Sequence, residues 1–286
     1  GQWEMNWDYD DALKTADRHT FFKFMAKAIS EEYGYRATFM PKPFIDRTGN
    51  GCHAHVSVWD KTGKKNLFLD PKGELGMSKM SYQFLGGMLH HAQALCSFFN
   101  PTVNSYKRIN APVTSSGATW APNTVTYGGN NRTHMVRIPD TGRFELRLMD
   151  GAANPYLMQA GMIAAGLDGV ANKRDPGKRL DIDMYQDGHK IKDAKKLPLN
   201  MLDALRLTDG SKDLRVALGD ELVGGGEPRR AGADDGDRGH RGTMTPRCPT
   251  CAKPCCCCSS RRSPPAPSSL SRRSTDAPPT TTTPTS

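Results

Sequence analysis

The 286-residue sequence predicts an α+β fold in which helices pack against an antiparallel sheet. Three segments carry apolar residues at helical spacing, and four shorter segments are typical of strands. Two of the strand segments, 134–139 and 143–149, lie close enough in the sequence to form a hairpin. Helices combined with hairpin-like strands favour an α+β architecture with an antiparallel sheet.

The first predicted helix begins at Asp10 or Asp11, either of which can cap it, and runs to about Tyr33. Gly34 follows and is expected to stop it. Apolar residues recur along one side of this helix, so that side is expected to be buried. The residues of this predicted buried face are Leu13, Phe21, Phe24, Met25, Ala28 and Ile29.

The second predicted helix begins near Ser78 and ends where Asn100 precedes Pro101. Its apolar residues at helical spacing are Leu85, Met88, Leu89, Ala92, Leu95, Cys96 and Phe99. The third begins at Asn154, with Pro155 in its first turn. It is apolar nearly all round, which predicts a central helix.

Strands are predicted at 36–41, 52–60, 134–139 and 143–149, and two of them have one polar face and one apolar face. Successive side chains of a strand point to opposite faces of the sheet. In the second strand, His53, His55 and Ser57 therefore share a face, opposite Cys52, Ala54, Val56 and Val58. In the fourth, Arg143, Glu145 and Arg147 lie opposite Phe144, Leu146 and Leu148.

The polar faces allow two interpretations. They are either solvated outer surfaces, with glutamate and arginine paired across the sheet, or a functional site. Arg108, Arg132 and Arg137, like Arg143 and Arg147, lie near elements that are expected to pack together, and guanidinium groups suit carboxylate and phosphate ligands. Two imidazoles and a carboxylate between arginines form the combination needed for a divalent metal to join a phosphate and a carboxylic acid. His90 and His91, in contrast, lie off the apolar stripe and are predicted to face solvent.

Hydrophobic periodicity stops at about residue 224, which predicts a folded domain over 1–224 and a disordered low-complexity tail over 225–286. The tail holds ten of the twenty prolines, and its abrupt start favours an out-of-frame translation. Cys248 and Cys251 have the spacing of half a zinc site, but the second half is four consecutive cysteines, which cannot surround one ion. A zinc site is therefore not expected there.

The bulk composition argues against nucleic-acid and membrane partners. Of the net charge of +9, residues 226–286 contribute +5, and the remaining +4 is ordinary for a domain of this size. The tail lacks aromatic residues that could stack on bases. No apolar run approaches the roughly 18 residues of a membrane span. The patterned region has two isolated cysteines, Cys52 and Cys96, which suits a reducing cytoplasm.

Seven motifs, in order and in register, resemble the glutamine synthetase catalytic domain, and the resemblance covers about residues 1–222. It implies the fold shared by glutamine synthetases and guanidino kinases. These ligases transfer the γ-phosphoryl group of ATP to the side-chain carboxylate of L-glutamate, and ammonia then attacks the γ-glutamyl phosphate. The resemblance also implies Mg²⁺ or Mn²⁺ and a homo-oligomeric ring. The motifs are GQWEMNW (1–7), ATFMPKP (37–43), GNGCHAHVSVW (49–59), NPTVNSYKR (100–108), NNRTHMVRIP (130–139), RFELRLMDGAANPYL (143–157) and AGLDGVANK (165–173).

The same resemblance assigns roles to individual residues. Glu4 corresponds to a ligand of a first metal, and His53 with Glu145 to ligands of a second, phosphate-facing metal. Arg108 and Arg147 correspond to the arginines that hold glutamate, with Gly49 beside them. The nucleotide is expected at His55, Ser57 and Tyr9, with its phosphates and the intermediate at Arg137, Arg143 and the catalytic Arg132.

Three departures from the family pattern are expected to matter. The segments of the family that precede GQWE, with further metal-binding glutamates and an aspartate lent by a neighbouring subunit, are absent from the sequence. Trp120 replaces the flap glutamate of the family's Glu-Ala-Pro triplet. The Trp-Ala-Pro triplet of this sequence resembles the type III-like branch, which also contains methylamine ligases. The tail stands where the family's C-terminal helices follow. This chain alone is therefore expected to be weakly active or inactive.

Alternatives to glutamine synthesis remain open at this point. Methylamine as the acceptor would give γ-glutamylmethylamide. A guanidino-kinase-like phosphotransferase would share the arginine-rich phosphate site but need no arginines for glutamate. A non-catalytic domain serving assembly would need neither. Tyr185 lies near the position at which some bacterial members are adenylylated, although a surface-loop tyrosine is the preferred interpretation.

Overall fold

The computed structural model describes residues 1–112, 114 and 117–223. The predicted tail, with Cys248 and Cys251, lies outside these residues, so its predicted disorder stays a prediction. Among the described helices, none is both long enough and apolar enough to cross a bilayer.

The described chain forms seven α-helices and a four-stranded sheet, which confirms the α+β prediction. The helices are α1 (Ala12–Glu32), α2 (Lys79–Phe99), α3 (Val103–Ile109), α4 (Pro155–Ala171), α5 (Met201–Asp209), α6 (Lys212–Leu218) and α7 (Asp220–Val223). The strands are β1 (Ala54–Val56), β2 (Tyr127–Gly128), β3 (Val136–Asp140) and β4 (Arg143–Leu146), in the order β1-β4-β3-β2.

The sheet follows the predicted hairpin, with three differences. β4 pairs antiparallel with both β1 and β3, but β2, which was not predicted, joins β3 in parallel. The regular strands are shorter than the alternating sequence around them. The strand predicted at 36–41 is wrong, because that segment pairs with no strand of the described chain and is irregular backbone, in which the Pro41 carbonyl accepts from Asn50. The apolar faces were predicted correctly: Phe144 and Leu146 are fully buried.

Helix α1 has the predicted ends but not the predicted buried face. The Asp11 side chain accepts a hydrogen bond from the Lys14 amide, and Gly34 follows the last turn with φ +74°. Ala16 and His19 are its buried residues, because that side faces α4 and the N-terminal segment, where the His19 ring packs on Trp7 at 5.7 Å. Leu13, Phe21, Phe24 and Ile29 of the predicted face are exposed, and Met25 and Ala28 are half-buried.

The buried ring of His19 makes a pH dependence testable. Burial, together with the charge of Lys23, lowers the pKa of His19 to about 4. Between that value and the ordinary value of 6.5, the unfolded chain binds a proton that the folded protein does not, so stability falls as the pH is lowered through this window. When the pH is lowered from about 7 to about 5, the free energy of unfolding of the wild type is expected to fall by about 1–2 kcal/mol more than that of His19→Phe. Urea unfolding at both pH values measures the difference; equal losses in the two proteins would contradict it.

Helices α2 and α4 form the core with the sheet. The predicted ends of α2 are confirmed: Ser78 caps the helix and Asn100 follows its last residue. The two helices approach closely at Gly87, where a Cβ atom would lie 2.0 Å from the Ala165 carbonyl oxygen. Helix α4 packs against α1, α2 and α6, which agrees with the predicted central position, but Ile163 and Leu167 on its remaining side are exposed.

One solvent prediction in α2 is wrong. His90 is exposed as predicted, but the His91 side chain is only 3% exposed. Its Nε2 atom lies 2.8 Å from Oδ2 of Asp168 on α4. His91 is buried, although it lies off the apolar stripe, because Asp168 on the neighbouring helix provides a hydrogen-bond partner.

Candidate active site

The two strands with a predicted polar face are neighbours in the sheet, and their polar faces form one surface. In the antiparallel register, His55 of β1 lies directly opposite Glu145 of β4, and Glu145 in turn lies opposite Arg137 of β3. Directly opposed residues of neighbouring strands point to the same face. An imidazole, a carboxylate and a guanidinium therefore stand in one row across three strands.

Glu145 is the centre of this face. Its side chain is 4% exposed; Oε1 accepts a 2.6 Å hydrogen bond from Arg147 Nη1, and Oε2 a 2.8 Å bond from Arg137 Nη1. His53 Nδ1 lies 3.2 Å from Oε1. Burial alone would raise the pKa of Glu145, but the bond with His53 and the charge of Arg147 hold it well below its usual range. The carboxylate is thus ionised, and both of its oxygens accept hydrogen bonds.

The histidines of β1 and its flank are kept neutral. Burial lowers the pKa of both His53 and His55, and nearby arginines oppose a further positive charge. Arg143 Nη1 lies 2.7 Å from His55 Nδ1, so the guanidinium donates and the ring accepts. The other nitrogen of the neutral His55 ring then carries a proton and can donate to a ligand, whereas a neutral imidazole whose lone pair is free can bind a metal.

Arg108 reaches the same region from a helix that the sequence did not predict. Thr102 caps α3 through a reciprocal bond with Ser105, and the helix carries Arg108 inward. Its Nη1 donates to the Leu148 carbonyl at 3.0 Å, and burial lowers the pKa of its guanidinium. Gly49 lies against this side chain: an added Cβ would lie 2.5 Å from the Pro41 oxygen and 3.2 Å from Arg108 Cγ. The loop can pass this close to Arg108 because Gly49 has no Cβ atom.

A buried acid supports Arg108 from behind. Asp150 follows β4 and is fully buried; Asn100 Nδ2 donates to its Oδ2 at 2.9 Å and the Ala152 amide to its Oδ1 at 3.0 Å. Burial raises the pKa of Asp150, and Asn100 and the charge of Arg108 oppose that rise. Asp150 and Asn100 were not predicted as site residues. The signal was available, because an acid directly after an apolar strand has to find a partner when the strand is buried.

A second group of side chains lies at the other end of β1. The Tyr9 ring stacks on Trp59 with 5.9 Å between centroids and 8° between planes. Trp59 Nε1 donates to Ser57 Oγ at 3.0 Å. Tyr9 is 76% exposed, so its outer ring face is open. The sequence prediction placed Tyr9 and Ser57 here but missed Trp59, which holds them together.

Two predicted site residues are less connected. Glu4 is exposed and makes no hydrogen bond or ion pair within the described residues. Arg132 is exposed, and its positive charge is close enough to Arg147 to lower the pKa of that guanidinium, an effect smaller than that of burial. Gln2, near Glu4 in sequence, donates to the Gly49 carbonyl at 2.9 Å.

Trp120, which replaces the family's flap glutamate, packs as an apolar residue. Its Nε1 donates to the Thr133 carbonyl at 3.2 Å, and its ring meets Tyr185 edge-on at 5.3 Å. The Tyr185 hydroxyl is buried and has no hydrogen-bond partner among the described residues. Tyr185 lies in a turn, as the surface-loop interpretation expects, but its side chain is half-buried because Trp120 packs against it.

The donor set fits a divalent metal in part. His53 and Glu145 provide a nitrogen and an oxygen donor side by side, and Mg²⁺ commonly takes one or two protein ligands, with water and phosphate oxygens completing its shell. Over the described ranges, the one group of three candidate ligands is elsewhere, at His90, His91 and Asp213. The sheet thus places two potential metal ligands side by side.

Comparisons with known proteins agree with this arrangement. Residues 1–225 match the family model described as the catalytic domain of glutamine synthetase. A glutamine synthetase of Rhizobium meliloti is 66% identical over 222 residues, covering 78% of this chain and 51% of that protein. A glutamate–methylamine ligase of Methyloversatilis universalis is 47% identical over 224 residues, covering 77% and 50%.

Solved structures give the same result. A GmaS structure in complex with ADP is 65% identical, with a TM-score of 0.71, and the match covers 75% of this chain and 49% of that one. A GmaS structure without ligand gives a TM-score of 0.70 at 61% identity, covering 75% and 48%. The chain spans about half the length of the curated relatives it matches. By the family model and by these relatives, the chain belongs to the glutamine synthetase family, of which it carries the catalytic domain's sequence over residues 1–225.

Proposed function

We propose that this chain contributes the phosphate-binding and glutamate-binding half of an ATP-dependent ligase that joins ammonia to the side-chain carboxylate of L-glutamate. The observation that carries the proposal is Glu145, an ionised carboxylate held on one sheet face by His53, Arg137 and Arg147. A purely solvated face would not bury this carboxylate to 4% exposure among arginines.

The arginines are proposed to hold the two anionic reactants together. Arg108 and Arg147 would bind glutamate, and Arg132, Arg137 and Arg143 the phosphates of ATP. An oxygen of the glutamate side chain attacks the γ-phosphorus, and ADP leaves. The guanidinium groups stabilise the charge on the equatorial oxygens of the transferred group. Ammonia then attacks the carbonyl carbon of γ-glutamyl phosphate, phosphate leaves with the bonding electrons, and the nitrogen loses a proton to give glutamine.

His53 and Glu145 are proposed to hold Mg²⁺ or Mn²⁺, with Glu4 a ligand of a further ion. Such an ion would neutralise charge on the phosphate oxygens. His55 and Ser57 would contact the nucleotide, and the stacked Tyr9 and Trp59 present a flat aromatic face to its base. The similarity to GmaS in complex with ADP supports nucleotide binding by the family fold.

Methylamine is the second candidate acceptor. Trp120 is an apolar residue at the position where the family carries an acidic flap side chain, and an apolar residue suits a methyl group. The similarity to a glutamate–methylamine ligase supports this alternative. In either case a ring of subunits is the proposed assembly.

A hybrid enzyme tests the proposal. Residues 1–222 of this chain replace the matching half of the Rhizobium meliloti glutamine synthetase, with which they share 66% identity. Phosphate release from ATP and glutamate is then measured with ammonia, with methylamine and without amine. Release stimulated by ammonia supports the proposal, and stronger stimulation by methylamine favours the alternative. If neither amine stimulates release by the folded hybrid, the ligase function is contradicted.

A further inference from the structure

A cluster of potential metal ligands lies outside the candidate active site. His90 and His91 on α2 and Asp213 on α6 each offer one ligand atom, and the three atoms lie within 4.8 Å of one another. The residues come from segments more than 120 positions apart in the sequence. None of them belongs to the polar face of the sheet. We propose that His90, His91 and Asp213 form a binding site for a zinc-like divalent cation.

The ligand types favour a borderline metal. Two imidazoles and one carboxylate are a common set for Zn²⁺, whereas Mg²⁺ prefers oxygen ligands. His90 Nε2 lies 3.6 Å from Asp213 Oδ2, and the two imidazole rings are 4.7 Å apart between centroids. Small movements of exposed side chains would bring these donors to one ion, because His90 and Asp213 are 43% and 51% exposed.

A second carboxylate orients the buried imidazole. Asp168 Oδ2 lies 2.8 Å from His91 Nε2. Arg174 Nε donates to the same oxygen at 2.5 Å, so Asp168 is a carboxylate that accepts a hydrogen bond from His91 Nε2–H. The lone pair of His91 is then on Nδ1. A carboxylate bound to the far nitrogen of a histidine is the usual support of a metal ligand.

The charges around the cluster allow a cation to bind. Arg174 donates to Asp213 Oδ2 at 3.0 Å, and Lys195 lies near enough to act on His90. The carboxylates of Asp168 and Asp213 balance these two positive charges. A cleft of about 520 Å³, lined by His90, Arg174 and Lys195, gives a hydrated ion access.

Zinc binding by the full chain tests the site. Free thiolates compete for zinc, so every protein tested carries serine in place of the six tail cysteines. Zn²⁺ is titrated against a fluorescent chelator in excess Mg²⁺, which occupies sites that prefer hard cations. His90→Gln and Asp213→Asn are each expected to weaken Zn²⁺ binding about 10- to 100-fold. Both residues are exposed, so the variants should fold, and circular dichroism checks this.

His189→Gln is the matched control. His189 is also an exposed histidine, but its Nδ1 atom lies 3.0 Å from the Gln186 carbonyl oxygen, and it has no part in the cluster. Its replacement should leave Zn²⁺ affinity unchanged. The site is overturned if the unsubstituted protein does not compete with the chelator, if either cluster variant binds as tightly as that protein, or if the control weakens binding equally. These results do not depend on ligase activity.

Discussion

Replacing Glu145 by glutamine is expected to reduce amine-dependent phosphate release by the hybrid enzyme about 100-fold or more. The substitution keeps the size of the side chain but removes the charge that holds Arg137, Arg147 and His53 on one face. A neutral amide can accept from one arginine and must present its NH₂ group to another donor. Initial rates at saturating glutamate and ATP measure the effect.

Glu74→Gln is the matched control. Glu74 also pairs with an arginine at 2.6 Å, Arg179, but its side chain is 57% exposed. Surface ion pairs contribute about 0–1 kcal/mol, so this variant should keep near-wild-type rates. If Glu145→Gln keeps rates comparable to the control while remaining folded, the proposed role of Glu145 is contradicted.

Replacing Asp150 by asparagine is expected to destabilise the chain by about 3 kcal/mol and to weaken glutamate binding by the hybrid. Both carboxylate oxygens accept from N–H donors, one from Asn100 and one from Ala152. An asparagine would place its NH₂ group against one of those donors. The buried Arg108 guanidinium would also lose the negative charge behind it. Urea unfolding measures the first effect and the KM for glutamate the second.

Asp181→Asn provides the comparison for stability. Asp181 accepts from Arg179 at 2.7 Å but is 63% exposed. The expected loss is below about 1 kcal/mol. Equal destabilisation by the two substitutions would contradict the prediction that the buried hydrogen bonds of Asp150 stabilise the protein more than an exposed ion pair does.

Hydrophobic periodicity and capping residues predicted the elements that are determined by residues close together in sequence. Helix α2 carries a serine cap, a continuous apolar stripe and an Asn-Pro end, and all three signals agree with the structure. The apolar faces of β1 and β4 follow directly from alternation, and so do the polar faces that carry His53, His55 and Glu145. These features depend on residues close together in sequence.

Features that depend on distant partners were predicted less well. The face of α1 that is buried was misassigned because the burial of Ala16 and His19 depends on α4 and Trp7, not on the apolar stripe. His91 was expected in solvent because its carboxylate partner, Asp168, lies on another helix. Segment 36–41 has a strand-like sequence, but no strand of the described chain pairs with it.

The candidate site shows the same division. Arginines and histidines were identified from the strands and from the family motifs. The residues that position them were not: α3 carries Arg108 inward, Asp150 stands behind it, and Trp59 stacks on Tyr9. Each of these contacts joins segments that are far apart in the chain.

Pulsed electron paramagnetic resonance of Mn²⁺ bound to the hybrid enzyme with ADP tests most directly whether this sheet face holds a metal beside the phosphates. Imidazole ligation gives a coupling to ¹⁴N that water, carboxylate and phosphate ligands do not. The coupling is expected in the unsubstituted hybrid and in His90→Gln, and it should be lost in His53→Gln. A ¹⁴N coupling that persists in His53→Gln, or that is missing from the unsubstituted protein, would contradict the account.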